Sequence, residues 1–203
     1  MQKKLLMRIL TQVLLIGILV VAFAVPAFAY KTFDDHVLLN GINDSNWTMQ
    51  NPDDLTTTTL YYEDSITDAV DSWCEEAGVG FTQVDFYDPV PVHVYYMVND
   101  FGSTNWKAAT FFYDENSNLM NPSAGDPSDD WKFVFIKMNH YYLYDEIDSL
   151  SLQSTAAHEM GHALGLAHNT DKNTLMYPYI DRYLDNHIYY PQNDDINGVE
   201  FLY

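Results

Sequence analysis

Residues 158–168 read HEMGHALGLAH, from His158 to His168. Positions i and i+4 of an α-helix differ by about 40° around the axis, so His158 and His162 project from one face. Two imidazoles in this arrangement can bind one ion at about 2.0–2.1 Å, the usual Zn–N distance. Glu159 follows the first histidine and can lean over the ion, where a carboxylate takes a proton from water. The spacing therefore predicts a catalytic metal site on a helix.

A catalytic zinc site usually has three protein ligands, and His168 is the candidate for the third. Gly165 can adopt a left-handed backbone conformation, end the helix and turn the chain back, so that His168 approaches the ion from the opposite side. We predict one catalytic Zn²⁺ held by His158, His162 and His168. The alternative is a polar helix with exposed histidines. The surrounding alanines and leucines argue against it, because they would desolvate imidazoles that bind no metal, which costs free energy.

The rest of the chain has an α+β pattern. Apolar residues at spacings of three and four predict a helix from Asp64 or Ser65 to Ala77. Further helices are predicted at Leu150–Leu164 and Asp194–Leu202. Runs of aromatic and β-branched residues predict four strands. These runs are Phe81–Tyr87, Pro91–Val98, Ala108–Tyr113 and Phe133–Met138.

The chain divides into three parts. Residues 1–29 have a basic start, an apolar run and the ending Ala27-Phe28-Ala29, which predicts a secretory signal peptide cleaved before Tyr30. The alternative is an uncleaved membrane anchor, since the apolar run approaches the ~18–20 residues that span a bilayer. Residues 30–59 are polar and are interpreted as an extended lead-in segment with at most one strand. Residues 60–203 have the length of one domain.

Charge and cysteine content narrow the function classes. The chain has nine basic and 29 acidic residues; three of the basic ones lie in residues 1–29, so the released chain would carry −23 with neutral histidines. Such a protein is repelled by nucleic acid and by anionic lipid, and we expect neither as a stable partner. Acidic clusters at 114–116 and 126–130 match no calcium-loop pattern, so a Ca²⁺ requirement is possible but unsupported.

Cys74, the only cysteine, is interpreted as a small buried residue.

The extended motif resembles that of the metzincin metallopeptidases. Its amino-acid sequence is similar to that of the matrixin branch of this group. Leu175-Met176-Tyr177-Pro178 resembles the family's Met-turn. By that resemblance Met176 forms an apolar floor beneath the histidines and does not bind the metal. Residues 66–85 resemble the family's first helix and strand, and residues 194–203 its closing helix. The resemblance spans about residues 60–203 and is strong at 154–178.

The resemblance implies a metzincin-like fold with a twisted mixed sheet, a zinc-binding active-site helix and a C-terminal helix. A protein or peptide substrate would bind extended along an edge strand, at Lys107–Tyr113, by main-chain pairing. Zinc would polarise the scissile carbonyl, with Glu159 as general base and acid. Tyr177, Pro178 and Tyr179 are candidates for the substrate pocket. We expect a monomeric, secreted zinc endopeptidase.

The chain departs from the family pattern at several positions. No cysteine-switch motif is present, and the histidines of the family's structural zinc site are not recognisable. We therefore interpret the remaining histidines as ordinary polar residues; they are His36, His93, His140 and His187. Ile180 stands where the family often has a pocket tyrosine. Tyr179 and Tyr183 are near enough to substitute for it.

Two other functions fit the motif. A zinc-holding binding or adhesion protein could keep a metallopeptidase scaffold with little turnover, although such a protein has no chemical reason to keep Glu159. The other is a zinc hydrolase that acts on a non-peptide amide. The sequence of the Met-turn and the strand-rich half of the chain favour cleavage of peptides over hydrolysis of other amides.

Overall fold

The structure is a computed structural model that describes residues 30–39, 41–50, 59–144 and 148–203. The predicted signal peptide, residues 1–29, lies outside the described residues. The helices are α1 (Thr59–Ala77), α2 (His140–Leu143), α3 (Ser149–Ala163), α4 (Asp181–Leu184) and α5 (Asn193–Leu202). The strands are β1 (Ser45–Gln50), β2 (Phe81–Gln83), β3 (Val94–Asn99), β4 (Ala108–Tyr113) and β5 (Phe133–Asn139).

The described strands form one mixed sheet in the order β2-β1-β3-β5-β4. The first four strands in this order run parallel, and β4 pairs antiparallel to β5 with Thr110 opposite Ile136. The predicted substrate strand β4 therefore lies at one edge of the sheet. This architecture confirms the predicted α+β fold with a mixed sheet.

Helices α1 and α3 cover the sheet and supply the core. Four apolar positions of α1 that recur at helical spacing are fully buried: Ile66, Ala69, Val70 and Trp73. Two main-chain carbonyls of α3 also accept hydrogen bonds from buried aromatic side chains. The Trp73 indole donates to Ala157 O at 2.9 Å, and the Tyr96 hydroxyl donates to Ala156 O at 3.0 Å. These bonds fix α3 against both α1 and the sheet.

Three predicted elements differ from the observed ones by more than one residue. Strand β3 begins at Val94, three residues after Pro91. Helix α1 begins at Thr59, five residues before Asp64. Strand β2 ends at Gln83 instead of Tyr87, because the chain turns at Asp85, whose carboxylate accepts a hydrogen bond from Tyr87 N at 3.0 Å. Within residues 30–59, Ser45–Gln50 forms β1, which lies between β2 and β3.

The N-terminal described segment crosses the end of α3. Phe33 N donates to Gly165 O at 3.1 Å, and Ala167 N donates to Lys31 O at 2.8 Å. Further along, Leu39 N donates to Trp131 O at 2.7 Å. The segment thereby packs beside the part of the chain that carries His168. None of the described helices is long and apolar enough to cross a membrane.

Candidate active site

Helix α3 presents the first part of the histidine motif. Asp148 caps the helix, because its carboxylate accepts a hydrogen bond from Ser151 N at 2.8 Å. Every residue from Ser151 to Ala163 is buried. Gly161 leaves room for a close neighbour, since a Cβ atom there would lie 2.3 Å from the Met176 sulfur. Side chains on this helix are therefore held by packing on all sides.

Gly165 ends the helix in the way that the sequence predicts. Its φ is +98°, a left-handed conformation that glycine adopts without strain. Gly165 N donates to His162 O at 2.9 Å, and Leu166 N donates to Gly161 O at 3.0 Å. These two bonds make a Schellman motif, which satisfies the last helical carbonyls. The chain then returns and brings His168 next to the helix.

The three motif histidines converge through their Nε2 atoms. The distance from His162 Nε2 to His168 Nε2 is 3.1 Å, and that from His168 Nε2 to His158 Nε2 is 3.2 Å. Tetrahedral ligands at about 2.0–2.1 Å from zinc lie about 3.3–3.4 Å apart. The observed spacing is therefore close to that of a zinc site. The histidines form a potential metal-binding group.

Main-chain carbonyls set the tautomers of two of these histidines. His158 Nδ1 contacts Leu175 O at 2.8 Å, and His162 Nδ1 contacts Leu166 O at 2.7 Å. A carbonyl only accepts, so both Nδ1 atoms carry the proton and both Nε2 atoms present lone pairs. Converging lone pairs repel unless a cation or a proton lies between them. The donor set fits a divalent metal ion such as Zn²⁺.

Burial keeps the imidazoles neutral. Desolvation lowers the pKa of His162 to about 3, with a further lowering by His168. Desolvation also lowers the pKa of His158 well below its ordinary value, and the Arg182 guanidinium adds to this effect. His168 is exposed, and its pKa is lowered less strongly because Asp126 opposes the desolvation. Neutral imidazole is the form that binds a metal.

Glu159 lies beside the histidines with 7 % of its surface exposed. Burial raises the pKa of its carboxyl to about 7, while a hydrogen bond from Thr110 and the charge of Arg182 act in the opposite direction. The Thr110 hydroxyl lies 2.8 Å from Glu159 Oε2 and 3.0 Å from Glu159 O. A carboxyl with a pKa near neutrality can both take and release a proton.

The predicted Met-turn packs against the active-site helix at Gly161 and contacts His158 through Leu175 O. Met176 is buried, and its sulfur faces Gly161. The Asp195 carboxylate of α5 accepts hydrogen bonds from Leu175 N at 2.8 Å and Met176 N at 3.2 Å. The carbonyl of Leu175 is the one that orients His158. Asp195 thus connects the C-terminal helix to a histidine of the motif.

A cleft of about 600 Å³ opens over these groups. The edge strand lines one side, and Pro178, Tyr179 and Ile180 line another. The lining residues include all three histidines, Glu159, Phe33, Lys107–Thr110, Asp126 and Arg182. Of the predicted pocket candidates, Pro178 and Tyr179 line the cleft, whereas Tyr177 is not among the described residues that do.

Tyr183, the other candidate for the pocket wall, lies elsewhere. It is buried, and its hydroxyl donates to the Asp148 carboxylate at 2.9 Å, where the cap of α3 lies. Of the four histidines interpreted as ordinary, His36 lies near Asp129 and Asp130, with its Nδ1 3.5 Å from Asp130 Oδ1. The His36 and Asp130 side chains are 30 % and 38 % exposed. His36 and these two aspartates therefore form a polar cluster at the protein surface.

Three residues near the site were not predicted. Thr110 reads in the sequence as an ordinary strand residue, and Arg182 follows the Met-turn without a motif of its own. Phe33 precedes the predicted domain, and its ring lies 5.6 Å from the His162 ring, centroid to centroid. Each of the three reaches the site through tertiary contacts that no local spacing indicates.

A family model and several individual proteins match this chain. The family model described as Matrixin matches residues 43–203, which include β1, all the helices described above and every residue that lines the cleft except Phe33. The match therefore covers most of the chain, and it includes residues of the segment interpreted as a lead-in.

Individual relatives match this chain over stretches of different length. The chain is 45% identical over 56 residues to human matrix metalloproteinase-20, covering 28% of this chain and 11% of that protein. It is 49% identical over 53 residues to the hatching enzyme of Paracentrotus lividus, 26% of this chain and 9% of that protein. A putative matrix metalloproteinase of Trichoplusia ni ascovirus 2c is 27% identical over 159 residues, 70% of this chain and 30% of the viral protein. The chain thus spans less than a third of the length of these relatives.

Proposed function

The chain belongs to the matrixin family, and from this we propose that it is a secreted zinc-dependent endopeptidase. Relatives named as matrix metalloproteinases support peptide hydrolysis as the reaction. The predicted signal peptide supports secretion, with cleavage near Ala29. We also propose that the released protein is a monomer. Proteins or peptides outside the cell are the proposed substrates.

The observation that carries the proposal is the meeting of three imidazole nitrogens with one buried carboxyl group in an open cleft. The Nε2 atoms of His158, His162 and His168 would hold one Zn²⁺. When bound, zinc would polarise the scissile carbonyl and acidify a water molecule. Glu159 lies next to this position with one carboxylate oxygen held by Thr110.

Glu159 acts as general base and then as general acid in the proposed reaction. Its carboxylate takes a proton from the attacking water, whose oxygen forms a bond to the scissile carbonyl carbon. Glu159 then gives that proton to the amide nitrogen as the C–N bond breaks, so the carboxylate is restored. Burial raises the pKa of this carboxyl from its ordinary value, which makes it a stronger proton acceptor than an exposed glutamate. Met176 and Gly165 support the site by packing and by the turn, without touching the reacting atoms.

The edge strand provides the proposed platform for an extended peptide. The side chain of Asn121 occupies part of this edge: its Oδ1 accepts from Phe112 N at 2.8 Å and its Nδ2 donates to Thr110 O at 2.9 Å. Main-chain pairing with a substrate would therefore use the part of β4 that precedes these groups, next to the cleft. Pro178 and Tyr179 would contact the substrate side chain nearest the cleft wall.

The test is cleavage of a mixed denatured-protein substrate by the chain expressed with its own residues 1–29 and recovered from the medium. We expect zinc-loaded protein to cleave, a zinc chelator to stop cleavage, and Glu159→Ala to retain zinc but lose turnover. Mass spectrometry of the recovered protein should show Tyr30 as its first residue. Folded protein that holds one zinc and cleaves nothing would refute the peptidase and favour a zinc-holding binding protein.

A further inference from the structure

Thr110 lies in the edge strand with its side chain turned toward helix α3. It pairs with Ile136 of β5, a core residue, so both side chains lie on the helix-facing side of the sheet. Thr110 is 5 % exposed, and its hydroxyl is 2.8 Å from Glu159 Oε2 and 3.0 Å from Glu159 O. We propose that Thr110 is a positioning residue that holds the Glu159 carboxylate in its productive orientation. The inference rests on the proposed peptidase function.

The hydroxyl has one proton to donate and two lone pairs to accept with. When Glu159 is ionised, donation to Oε2 is the stronger choice because a hydrogen bond to a charged acceptor is roughly twice as strong as a neutral one. When Glu159 has taken a proton, the hydroxyl can turn and donate to the Glu159 main-chain carbonyl instead. One threonine thereby serves both protonation states without moving the backbone.

This bond also distinguishes the two carboxylate oxygens. Among the described residues, the side-chain hydrogen bond to this carboxylate goes to Oε2. Oε1 is therefore the oxygen that takes the proton from water and passes it to the leaving nitrogen. Without the hydroxyl, the carboxylate can rotate about its last torsion angle, which is broad for Glu. The proton acceptor would then be out of line for part of the time.

The hydroxyl is not needed to satisfy the helix. The Glu159 carbonyl lies inside α3, where residue i+4 already donates to it. The Thr110 bond to that carbonyl is therefore an additional one. Replacing the hydroxyl by a methyl group removes the bond to the carboxylate while the volume and branching of the side chain stay the same. The main effect should fall on catalysis, while the loss of a hydrogen bond to a buried carboxylate should also lower the free energy of unfolding and with it the melting temperature.

The experiment compares Thr110→Val with Thr110→Ser in the full chain, by kcat, KM, zinc content and melting temperature. We expect Thr110→Val to lower kcat by about 10- to 100-fold, the scale of a misplaced catalytic group, with KM changed by less than about twofold. Zinc content should stay at the parent value. Thr110→Ser should recover kcat to within about threefold of the parent, because it restores the hydroxyl.

Two further variants keep the test decisive. Thr48→Val is the matched control: Thr48 is a buried strand threonine whose hydroxyl donates to Val84 O at 2.9 Å, far from the motif in sequence, and kcat should not change. Thr110→Ala lacks the hydroxyl without adding bulk, and replaces Thr110→Val if that variant does not fold.

The outcomes separate this inference from the proposed function. An active parent whose Thr110→Val and Thr110→Ala variants keep the parent kcat would overturn the positioning role alone. A Thr110→Ser variant as slow as Thr110→Val would overturn it as well, since shape and not the hydroxyl would then matter. An inactive parent that holds zinc would refute the peptidase and, with it, the positioning role.

Discussion

At Glu159 several influences act on one carboxyl group. Burial raises its pKa to about 7, and both the Thr110 hydroxyl and the Arg182 guanidinium oppose the rise. A divalent cation held by the adjacent histidines also favours the ionised form. The pKa in the zinc-loaded protein should therefore lie below 7, which leaves Glu159 ionised and ready to take a proton at neutral pH.

The first prediction concerns the pH dependence of kcat/KM. Protonated Glu159 cannot accept a proton, so kcat/KM should fall about tenfold per pH unit on the acid side, with a midpoint below about 7. Desolvation lowers the pKa of all three histidines, so protonation of a ligand should release the metal only at a lower pH. The measurement is kcat/KM across the acidic to neutral range with zinc content recorded at each point. A midpoint above 7, with zinc retained, would contradict the assignment of Glu159.

At the scale of elements, Arg182 joins the cleft wall to the active-site helix. The Arg182 side chain is buried, and its Nη1 donates to Tyr177 O at 3.3 Å and Tyr179 O at 3.1 Å. Its Nη2 donates to Ser154 O at 3.1 Å, one helical turn before His158. The guanidinium thus holds the main chain on both sides of Pro178 at a set distance from α3.

The second prediction follows from this arrangement. Arg182→Met removes a donor from one buried and two part-buried carbonyls, so the free energy of unfolding should fall by about 2 kcal/mol. The wall should also be less rigid, and selectivity between peptides that differ in the residue after the scissile bond should drop by about tenfold. The measurement is kcat/KM for such a peptide set. Lys172→Met, an exposed cation in the turn before Met176, is the control and should keep the parent ratios. Unchanged ratios in Arg182→Met would remove the residue from selectivity.

Elements near strong local signals were predictable, and contacts between elements were not. Helix α3 and strand β4 match their predictions to within one residue at each end. An N-cap and a glycine mark the ends of the helix, and a run of aromatic and β-branched residues marks the strand. Strand β1 has the polar sequence SNWTMQ, and what makes it a strand is pairing with β2 and β3 on both sides. The same limit applies to the site. The histidine spacing is local, whereas Thr110 meets Glu159 only when the sheet packs on α3.

At the scale of the whole molecule, the histidine site lies where distant parts of the chain meet. His168 follows a turn that the N-terminal segment holds through Phe33 and Lys31. His158 is oriented by Leu175, whose main-chain N–H donates to Asp195 of the C-terminal helix. A cation shared by the histidines would therefore link α3 to both ends of the described chain. Its loss should be felt by the entire domain.

The third prediction is that zinc stabilises the whole domain. An ion that binds only the folded protein stabilises it by about 4 kcal/mol at 1,000 times its dissociation constant. A domain of this size shifts its melting temperature by about 2–4 °C per kcal/mol, so a chelator should lower it by about 8–16 °C in a single transition. The measurement is calorimetry with and without the chelator. His168→Ala keeps only two ligands and should show a much smaller shift. An equal shift in that variant would exclude His168 from the metal site, because the stabilising ion would then be bound elsewhere.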